Sequence, residues 1–447
     1  MKTILLSCAS IFLIGGSLLA DPESKRDKKP EEGTSVPALS GQSLVFIHPD
    51  GAGLAGWNIF RIHDHGPDGF SNWDRLPRIA VYRSHMRDNL DASSHGGGTI
   101  HAYGVKVLKD SYGMNGKEPL VSASGFPGSV MQEAQAAGMR IGIVNSGHLA
   151  EPGTGCMLAS VESRGLTREI AAQLVASRAD LIFGGGEVLF LPKGKKGVHG
   201  KPGLREDGRN LVEEAKKAGY RVIYRKSDLA KISAKDEKLL GLFAAEDTYH
   251  ATTEEELEFA GLPSYLASAP TVGEMTDAAL SWFRQRDRSF FLMIEEEGTD
   301  NFSNATNAPG MLEAFRRADA AIGAARRHVA ETGDLTLLVA ADSEAGCPEL
   351  VSLGMLGDRP KGKLRRLPGS TPTGSPLDGV NGTGSQPFVS APDRIGQRHV
   401  FGIAWGEASD HPGSVLARAE GPRADLLPAN LDNTGVFRFI RAVVFAE

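Results

Sequence analysis

The sequence has little net charge and only one long apolar run. Its formal net charge is −6 over 447 residues, and this mild acidity argues against a nucleic acid as the main partner. Because no second long apolar run follows the one at the amino terminus, we expect a soluble mature protein without a membrane anchor. The hydrophobic content of 41% suits one large α/β domain with insertions, or two domains.

The single apolar run predicts a secretory signal at residues 1–20. Lys2 supplies the positive charge, and residues 4–19 are the apolar stretch, after which a small residue can mark cleavage. Serines and glycines interrupt the stretch, which favours cleavage over a membrane anchor. Residues 21–38, rich in Lys, Glu, Asp and Pro, are predicted to form a disordered linker, and residues 39–447 a catalytic domain. We therefore expect an exported protein, either periplasmic or secreted.

Cysteine is scarce. Three occur in the chain, and two of them, Cys156 and Cys347, would remain after cleavage of the signal. An exported protein can keep a disulfide, but the sequence does not establish whether these two residues pair.

A Gly-x-Ser-x-Gly motif is also absent. Its absence weakens the interpretation of residues 95–98 as the oxyanion-hole motif of an α/β-hydrolase, because that fold needs such an elbow for its nucleophile. The surrounding segment, residues 91–106, is rich in glycine and in hydroxyl groups. It could be a flexible surface loop, or it could hold a nucleophilic hydroxyl among backbone amides.

Acidic residues recur where predicted buried strands end. The unbroken apolar run at 289–293 leads into an acidic stretch at 295–300, and similar runs precede Asp50 and Asp342. Glu151 lies in a further strand-exit loop. Because open α/β folds place their sites at the carboxyl edge of the sheet, we expect these carboxylates to meet there and bind divalent cations. For any one of them alone, a solvated acidic loop or an Asp-Gly turn is the alternative.

Strands and helices alternate along the chain, which predicts an α/β fold with a mainly parallel central sheet sandwiched by helices. Helical spacing at 157–161 predicts a helix that carries Arg164, either as a solvated residue or as a fork for the oxygens of a phosphate. Residues from about 355 to 398 lose periodicity and are rich in Gly, Pro and Ser. We predict a smaller insertion there, near the active-site entrance, acting as a mobile lid or shaping that entrance.

In their order along the chain, these motifs resemble those of the alkaline phosphatase family across most of the predicted mature chain. The matching positions are Asp50, 104–106, 163–164, 184–186, 239–244, 295–300, Asp342 and 411–414. The resemblance implies an α/β sandwich that binds two zinc ions and one magnesium ion. It also implies transfer of a phosphoryl group to a serine and then to water.

The resemblance assigns roles to individual residues. Ser94, ten residues before Gly104, takes the place of the nucleophile, although a shift of one residue would make it Ser93. Arg164 matches the arginine that clamps the phosphate, and Asp50 matches a carboxylate that bridges the zinc and magnesium sites. The implied zinc ligands are Asp50, Asp300, Asp342 and His411, and the implied magnesium-site residues are Glu151 and Glu295, with Gly153 at the usual hydroxyl position and Thr154 next to it.

Two positions depart from the family pattern. Asn304 and Ser343 stand where the family has zinc-binding histidines, so the predicted site has less imidazole and more oxygen. Zinc prefers nitrogen and sulfur donors, whereas magnesium, manganese and calcium prefer oxygen. The resemblance implies zinc and magnesium, and the oxygen-rich site makes manganese or calcium alternatives. Glu297, Glu344 and Asn304 could supply replacement oxygens.

The expected activity is metal-dependent hydrolysis of phosphate monoesters through a phosphoserine. One alternative is hydrolysis of phosphodiesters or sulfate esters on the same scaffold. Another, motivated by Asn304 and Ser343, is a metal- or phosphate-binding protein that has lost turnover. The expected partners are small phosphorylated substrates, with no nucleic-acid surface, and the chain could form a homodimer.

Overall fold

The computed structural model of the chain describes residues 36–355, 377–379 and 387–446. The predicted signal peptide, most of the predicted linker and most of the predicted insertion lie outside these residues. Among the residues described, no helix is both long and apolar enough to cross a membrane.

Strands and helices alternate over most of the described chain. The strands are β1 Ser43–Pro49, β2 Arg78–Arg83, β3 Met114–Asn115, β4 Glu118–Pro119, β5 Arg140–His148, β6 Leu181–Gly185, β7 Tyr220–Ile223, β8 Lys238–Leu242, β9 Phe290–Glu296, β10 Leu335–Val339, β11 Glu344–Ala345, β12 Pro348–Met355, β13 Phe388–Val389, β14 His399–Trp405, β15 Asp410–His411, β16 Leu416–Glu420 and β17 Asn430–Asp432. The α-helices are α1 Leu54–His65, α2 Ser94–Tyr103, α3 Val130–Ala136, α4 Pro152–Gly155, α5 Thr167–Ala176, α6 Leu211–Lys217, α7 Lys226–Leu229, α8 Glu254–Ala260, α9 Val272–Phe283, α10 Gly298–Asn304, α11 Ala308–Thr332 and α12 Thr434–Val444.

Ten strands form one central sheet in the order β17-β2-β16-β10-β1-β9-β5-β6-β8-β7. Neighbouring strands are parallel except where β16 pairs with β10 and with β2. The central strands β1, β9 and β10 are buried along their whole length. Unbroken apolar runs of this kind are expected where helices cover both faces of a parallel sheet. The predicted α/β fold with a mainly parallel sheet is confirmed.

Helices flank the sheet in two groups, and local sequence signals set where several of them begin. Helices α9 and α11 pack on each other and contact the central strands, whereas α12 packs on β1, α2 and α3. Helix α9 starts with a capping box formed by Thr271 and Glu274. Helix α11 starts after Asn307, whose side chain accepts a hydrogen bond from the backbone N–H of Gly310.

Four neighbouring parallel strands bring acidic residues to one edge of the sheet. Strands β10, β1, β9 and β5 are adjacent in this order, so their carboxyl ends lie side by side. Within three residues of these ends come Asp342, Asp50, Glu297 and Glu151. This is the edge at which open α/β sheets place their sites.

Two segments differ from the sequence expectation. The glycine-rich segment forms a buried helix, α2, so the alternative of a flexible surface loop is wrong. The predicted helix at 157–164 is also wrong, because α4 ends at Gly155 and is followed by turns. Arg164 therefore lies in a loop. The apolar side chains that suggested helical spacing there are buried from a non-helical backbone.

A small antiparallel sheet borders the predicted insertion. It contains β12, β14 and β13 in that order. Beside it, β11 pairs with β15 and places Glu344 opposite His411. This pairing brings the loop that contains His411 close to the end of β10.

The two cysteines of the described residues are unpaired, so Cys156 and Cys347 are not joined to each other. Cys156 is buried, and its Sγ lies 3.5 Å from Oγ1 of Thr99 on α2. Burial raises the pKa of the Cys156 thiol to about 12. The thiol therefore stays protonated at neutral pH and acts as a packing group.

Candidate active site

Strand alternation divides the acids at the end of β9 between two faces of the sheet. Glu295 lies beside His48 in the register of β9 and β1, on the face that carries α4. Glu296 points to the opposite face, where the Tyr265 hydroxyl donates to its Oε1 at 2.8 Å. Glu296 therefore does not belong to the same cluster as Glu295.

Carboxylates and one imidazole converge at the end of β1. Candidate ligand atoms of His48, Asp50 and Asp342 all lie within 4.8 Å of one another, and the same holds for Asp50, Glu295 and Glu297. All five side chains are buried. Asp50 belongs to both groups because β1 lies between β9 and β10 in the sheet.

Several polar atoms of this cluster have no hydrogen-bond partner among the described residues. They are both ring nitrogens of His48, both carboxylate oxygens of Asp50, Oδ2 of Asp342, Oε1 of Glu295 and Oε2 of Glu297. A buried polar atom without a partner costs about 1–3 kcal/mol, and buried carboxylates are normally paired or bound to a metal. A donor set of several oxygens and one imidazole therefore fits divalent cations.

The electrostatics of the cluster favour a counterion. Burial raises the pKa of Asp50, and the neighbouring Asp342 carboxylate raises it further. Burial, together with Glu151 and Asp50, also raises the pKa of Glu297. At Asp342, burial acts in the same direction, but the His48 imidazole outweighs it and holds the pKa of Asp342 well below its usual value. Bound cations would stabilise the ionised form of the other carboxylates in the same way.

One oxygen of Glu295 is held by three hydrogen bonds. Its Oε2 accepts from Thr154 N at 2.8 Å, from Thr154 Oγ1 at 3.1 Å and from Asn145 Nδ2 at 2.5 Å. The other oxygen, Oε1, faces Nδ1 of His48 at 3.5 Å. Gly153 permits this approach, because a Cβ there would meet Oε1 of Glu295 and lie 2.6 Å from Nδ1 of His48.

Glu151 connects the cluster to Arg164. Its Oε2 accepts a hydrogen bond from Nη2 of Arg164 at 3.1 Å, and its Oε1 lies 3.0 Å from Nε2 of His148. Asp247 in turn accepts from the backbone N–H of His148 at 2.7 Å. The Arg164 side chain is 47% exposed. Burial disfavours its charge, but Glu151 and Glu297 outweigh this and raise the pKa of the guanidinium, so Arg164 stays charged at the rim of the cluster.

Two consecutive serines at the start of α2 have different environments. Ser93 is the N-cap: its Oγ accepts from Gly96 N at 3.1 Å and donates to Lys109 O at 2.6 Å. Ser94 is only 3% exposed, and its hydroxyl has no hydrogen-bond partner in the described part of the chain. The Ser93 hydroxyl is therefore occupied by the cap, whereas the Ser94 hydroxyl is available for chemistry.

Glycines let α2 approach the cluster closely. A Cβ on Gly97 would lie 2.5 Å from Oδ2 of Asp342, and one on Gly98 would lie 2.9 Å from the carbonyl oxygen of Pro152. Residues three apart share a face of a helix, so Ser94 lies on the same face as Gly97, towards Asp342. The partial positive charge of the helix N-terminus also favours an anion there.

A second part of the site contains Asp300, Asn304 and Asp410. The Asn304 amide nitrogen donates to Asp300 Oδ1 and Oδ2 at 3.1 and 3.0 Å, and to Asp410 Oδ1 at 3.1 Å. Burial raises the pKa of Asp300, and the Asp410 carboxylate raises it further. The ligand atoms that these three side chains offer to a cation are all oxygens.

His411, the zinc ligand implied by the resemblance, lies at the border of this part. It is exposed, and its Nδ1 accepts a hydrogen bond from Gly413 N at 3.2 Å. The preceding residue, Asp410, is the one that reaches Asn304. Of the two residues of β15, Asp410 and not His411 is therefore the one placed to act as a ligand in this part of the site.

Two residues that follow Asp342 have structural roles. Ser343 is buried and donates its hydroxyl to Oδ1 of Asp342 at 3.3 Å. Glu344 accepts from the backbone N–H of Ser414 at 2.8 Å, and so it holds the loop that follows β15. Of the suggested sources of replacement oxygen, Glu344 is thus engaged away from the cluster.

Comparison with known proteins identifies the family to which the chain belongs. The sequence profile of the family described as alkaline phosphatase matches residues 42–361 of the chain. This chain belongs to the alkaline phosphatase family. The alkaline phosphatases of Escherichia fergusonii and Escherichia coli are 24% and 23% identical to it, each over 90% of this chain and 86% of the relative.

Solved alkaline phosphatases share the fold. The enzyme from the Antarctic bacterium TAB5 has a TM-score of 0.67 at 18% identity, covering 92% of this chain and 98% of the other. The enzyme from Thermus thermophilus has a TM-score of 0.67 at 19% identity, covering 91% and 92%. A variant of the TAB5 enzyme is described with Mg bound in its M3 site. Membership of the alkaline phosphatase family makes this chain a hydrolase of the phosphatase class.

The structure brings together most of the residues that the sequence predicts for an alkaline phosphatase site. Those that line or touch one cluster are Asp50, Glu151, Thr154, Arg164, Glu295, Asp300, Asn304 and Asp342. Ser94 lies at the start of α2, one helical turn before Gly97, which approaches Asp342. Ser343 touches the cluster through Asp342, and His411 lies at its border.

Four neighbouring residues escaped the sequence analysis: His48, Asn145, Asp247 and Asp410. A signal for His48 was present, because residues two apart in a strand share a face and His48 precedes Asp50 by two. Asp410 directly precedes a motif that was recognised. Asn145 and Asp247 gave no pattern that singles them out. His48 places an imidazole beside Asp50 and Asp342 at one end of the cluster.

Proposed function

We propose that this alkaline phosphatase hydrolyses phosphate monoesters through a phosphoserine at Ser94, with divalent cations held by the carboxylate cluster. The observation that carries the proposal is the free Ser94 hydroxyl at the start of α2, on the helix face that touches Asp342. A nucleophile, cation ligands and an arginine on one site are the elements that phosphoryl transfer requires.

The proposed cations are zinc and magnesium. The carboxylates of Asp50, Asp342, Glu295 and Asp300 would hold them, because these side chains are buried and offer oxygen ligands. Divalent ions bound there would lower the pKa of the attacking hydroxyl and neutralise charge that develops on the phosphoryl oxygens. The magnesium described for the TAB5 variant supports a divalent ion at this kind of site.

The chain's own residues would bind and orient the ester. Glu151 holds one N–H group of Arg164, which leaves the other donors of this half-exposed guanidinium for two phosphate oxygens. Backbone N–H groups at the start of α2 supply further donors to an anion. Together these contacts would place the phosphorus in line between the Ser94 Oγ and the leaving oxygen.

The reaction would proceed in two displacements. First, Ser94 Oγ loses its proton and bonds to phosphorus while the ester P–O bond breaks, and the departing alkoxide takes up a proton to leave as an alcohol. Second, water attacks the phosphoserine, the P–Oγ bond breaks, Oγ regains a proton and inorganic phosphate is released. One water molecule is consumed for each ester.

The two serines at the start of α2 provide a matched test. The Ser94→Ala and Ser93→Ala variants are mixed with a monoester radiolabelled in its phosphoryl group, quenched in acid and assayed for covalent label. We expect no label on Ser94→Ala. We expect label on Ser93→Ala, together with a loss of about 1 kcal/mol of stability from the missing cap. The nucleophile would be misassigned if Ser94→Ala acquired covalent label, or if Ser93→Ala alone failed to acquire it.

The substrate class is tested by parallel assays of p-nitrophenyl phosphate, bis-p-nitrophenyl phosphate and p-nitrophenyl sulfate. We expect the monoester to have the highest kcat/KM. Faster turnover of the diester or the sulfate would favour the related hydrolases instead. Stoichiometric metal binding with no hydrolysis of any of the three would favour a protein that has lost turnover.

We also propose that the chain is exported, because residues 1–20 have the charged, apolar and small-residue pattern of a secretory signal. Amino-terminal sequencing of protein from the extracellular or periplasmic fraction should begin after residue 20. A chain that stays in the cytoplasm and keeps Met1 would contradict this.

A further inference from the structure

We infer that His48 is a metal ligand and that, with Asp50 and Asp342, it forms a nitrogen-containing site that prefers zinc. Beside it, Asp300 and Asp410 would form an oxygen-only site that prefers magnesium, manganese or calcium. This inference rests on the proposed metal dependence. It adds a residue outside every motif on which the family resemblance was based.

His48 lies between the carboxylates of Asp342 and Glu295 but makes no hydrogen bond to either within the described residues. It is fully buried in β1, and neither ring nitrogen has a hydrogen-bond partner among the described residues. His101, whose ring centroid lies 5.6 Å away, is equally buried, but its Nε2 is 2.6 Å from the Tyr82 hydroxyl. A buried ring nitrogen without a hydrogen bond is unfavourable. His48 therefore has both ring nitrogens left for other partners, whereas His101 has only Nδ1.

The distances around His48 fit a shared cation better than a hydrogen bond. Its Nε2 lies 3.6 Å from Oδ1 of Asp342, which is too long for a hydrogen bond. Two ligands of one tetrahedral zinc ion are about 3.4 Å apart, given zinc–ligand bonds of about 2.1 Å. Asp50 contributes two oxygens without partners to the same group.

Glu295 is placed to orient the His48 ring. Its Oε1 faces Nδ1 of His48 at 3.5 Å, while its Oε2 is held by Thr154 and Asn145. Metal-binding histidines usually direct their second ring N–H to a carboxylate or carbonyl. A proton on Nδ1 that points to Glu295 leaves the lone pair of Nε2 directed towards Asp342 and Asp50.

The two ends of the cluster should therefore select different ions. Imidazole favours zinc over magnesium, manganese and calcium, which take oxygen donors. At the other end, Asp300, Asp410 and the Asn304 amide offer oxygen alone. The first equivalent of zinc added to the protein should therefore bind at His48.

The test is zinc K-edge X-ray absorption of the full chain loaded with one equivalent of zinc. We expect the outer-shell scattering of one imidazole per zinc ion in the wild-type protein. In His48→Gln this scattering should disappear, and zinc affinity should fall about tenfold or more, measured by competition with a chromophoric chelator. The control His101→Gln should keep both the scattering and the affinity.

The inference is overturned if the first zinc ion of the wild-type protein shows only oxygen neighbours. It is equally overturned if the imidazole signal survives in His48→Gln and vanishes in His411→Gln. Should His48→Gln fail to fold, the wild-type and His411→Gln spectra still decide: an imidazole signal that is absent from the wild type, or lost in His411→Gln, overturns the inference. Because no substrate is involved, an inactive protein with imidazole-bound zinc contradicts only the proposed function, and an active protein with oxygen-bound zinc contradicts only this inference.

Discussion

The two ends of the cluster are built on the same edge of the sheet but from different kinds of side chain. At one end an imidazole, His48, stands between Asp342 and Glu295. At the other end an amide, Asn304, stands between Asp300 and Asp410. The first is anchored in the central strand β1, and the second in the short helix α10 and the two-residue strand β15. A family motif can therefore lack its histidine while the site still has a nitrogen donor, because another element of the fold can supply one.

The largest effect is expected from replacing Asp50. This residue belongs both to the group with His48 and Asp342 and to the group with Glu295 and Glu297. Asp50→Asn should lower kcat/KM by about 10³-fold or more, because the bound cations supply several kcal/mol to the transition state. Metal content, measured by elemental analysis, should fall in parallel. The matched control is Glu296→Gln, because Glu296 is also a buried carboxylate at a strand end but points to the opposite face of the sheet. The Glu296→Gln protein should keep the metal content of the wild type. An Asp50→Asn enzyme with near-normal rate and metal content would show that Asp50 does not hold a cation in either group.

A smaller effect is expected from making the oxygen-only end resemble the other. Asn304→His places an imidazole between Asp300 and Asp410 and should tighten binding of the second zinc equivalent about tenfold, or about 1.4 kcal/mol. Chelator competition measures it. The control Asn301→His changes the same helix at a residue that bonds to Tyr249. Equal affinities in both variants and the wild type would mean that this end does not bind zinc.

The last comparison is between the two faces of β9. Burial raises the pKa of Glu296 to about 7, above an unfolded value of about 4.3. Because the folded protein holds this proton more tightly, the stabilisation is fully present below about pH 4 and is lost as the pH rises through about 7. Glu296→Gln should remove a contribution of about 3 to 4 kcal/mol to this pH dependence.

Denaturant unfolding of the metal-free wild type and Glu296→Gln at pH 5 and pH 8 measures the difference. The wild type should lose more free energy of unfolding than the variant over this interval. Equal losses of the free energy of unfolding in the wild type and in Glu296→Gln would show that Glu296 keeps an ordinary pKa in the folded protein.

The central sheet and much of its acidic edge follow from local signals in the sequence. Unbroken apolar runs mark strands that are buried on both faces, and parallel strands place their carboxyl ends together. Knowing that Asp50 and Asp342 follow such runs was therefore enough to expect them side by side. Apolar periodicity does not fix the exact start of a helix, because the start depends on single capping residues such as Asn307 of α11.

Other parts depend on contacts that no local pattern contains. Asp410 reaches Asn304 only because β15 pairs with β11, a pairing between distant segments. His48 was hidden inside an apolar strand, where its neighbours suggested packing and not chemistry. Helix α2 was missed for a different reason: glycine has low helix propensity, and the packing of surrounding elements overrides it.

The three consecutive glycines of α2 also bear on the order in which the molecule assembles. Each glycine makes an isolated helix less favourable by about 1 kcal/mol relative to alanine, so this segment would not hold its shape alone. The surfaces that confine it come from strands and turns far away in the chain, at Asp342 and Pro152. We therefore expect the reactive serine to reach its final position only late in folding, once the scaffold around it has formed.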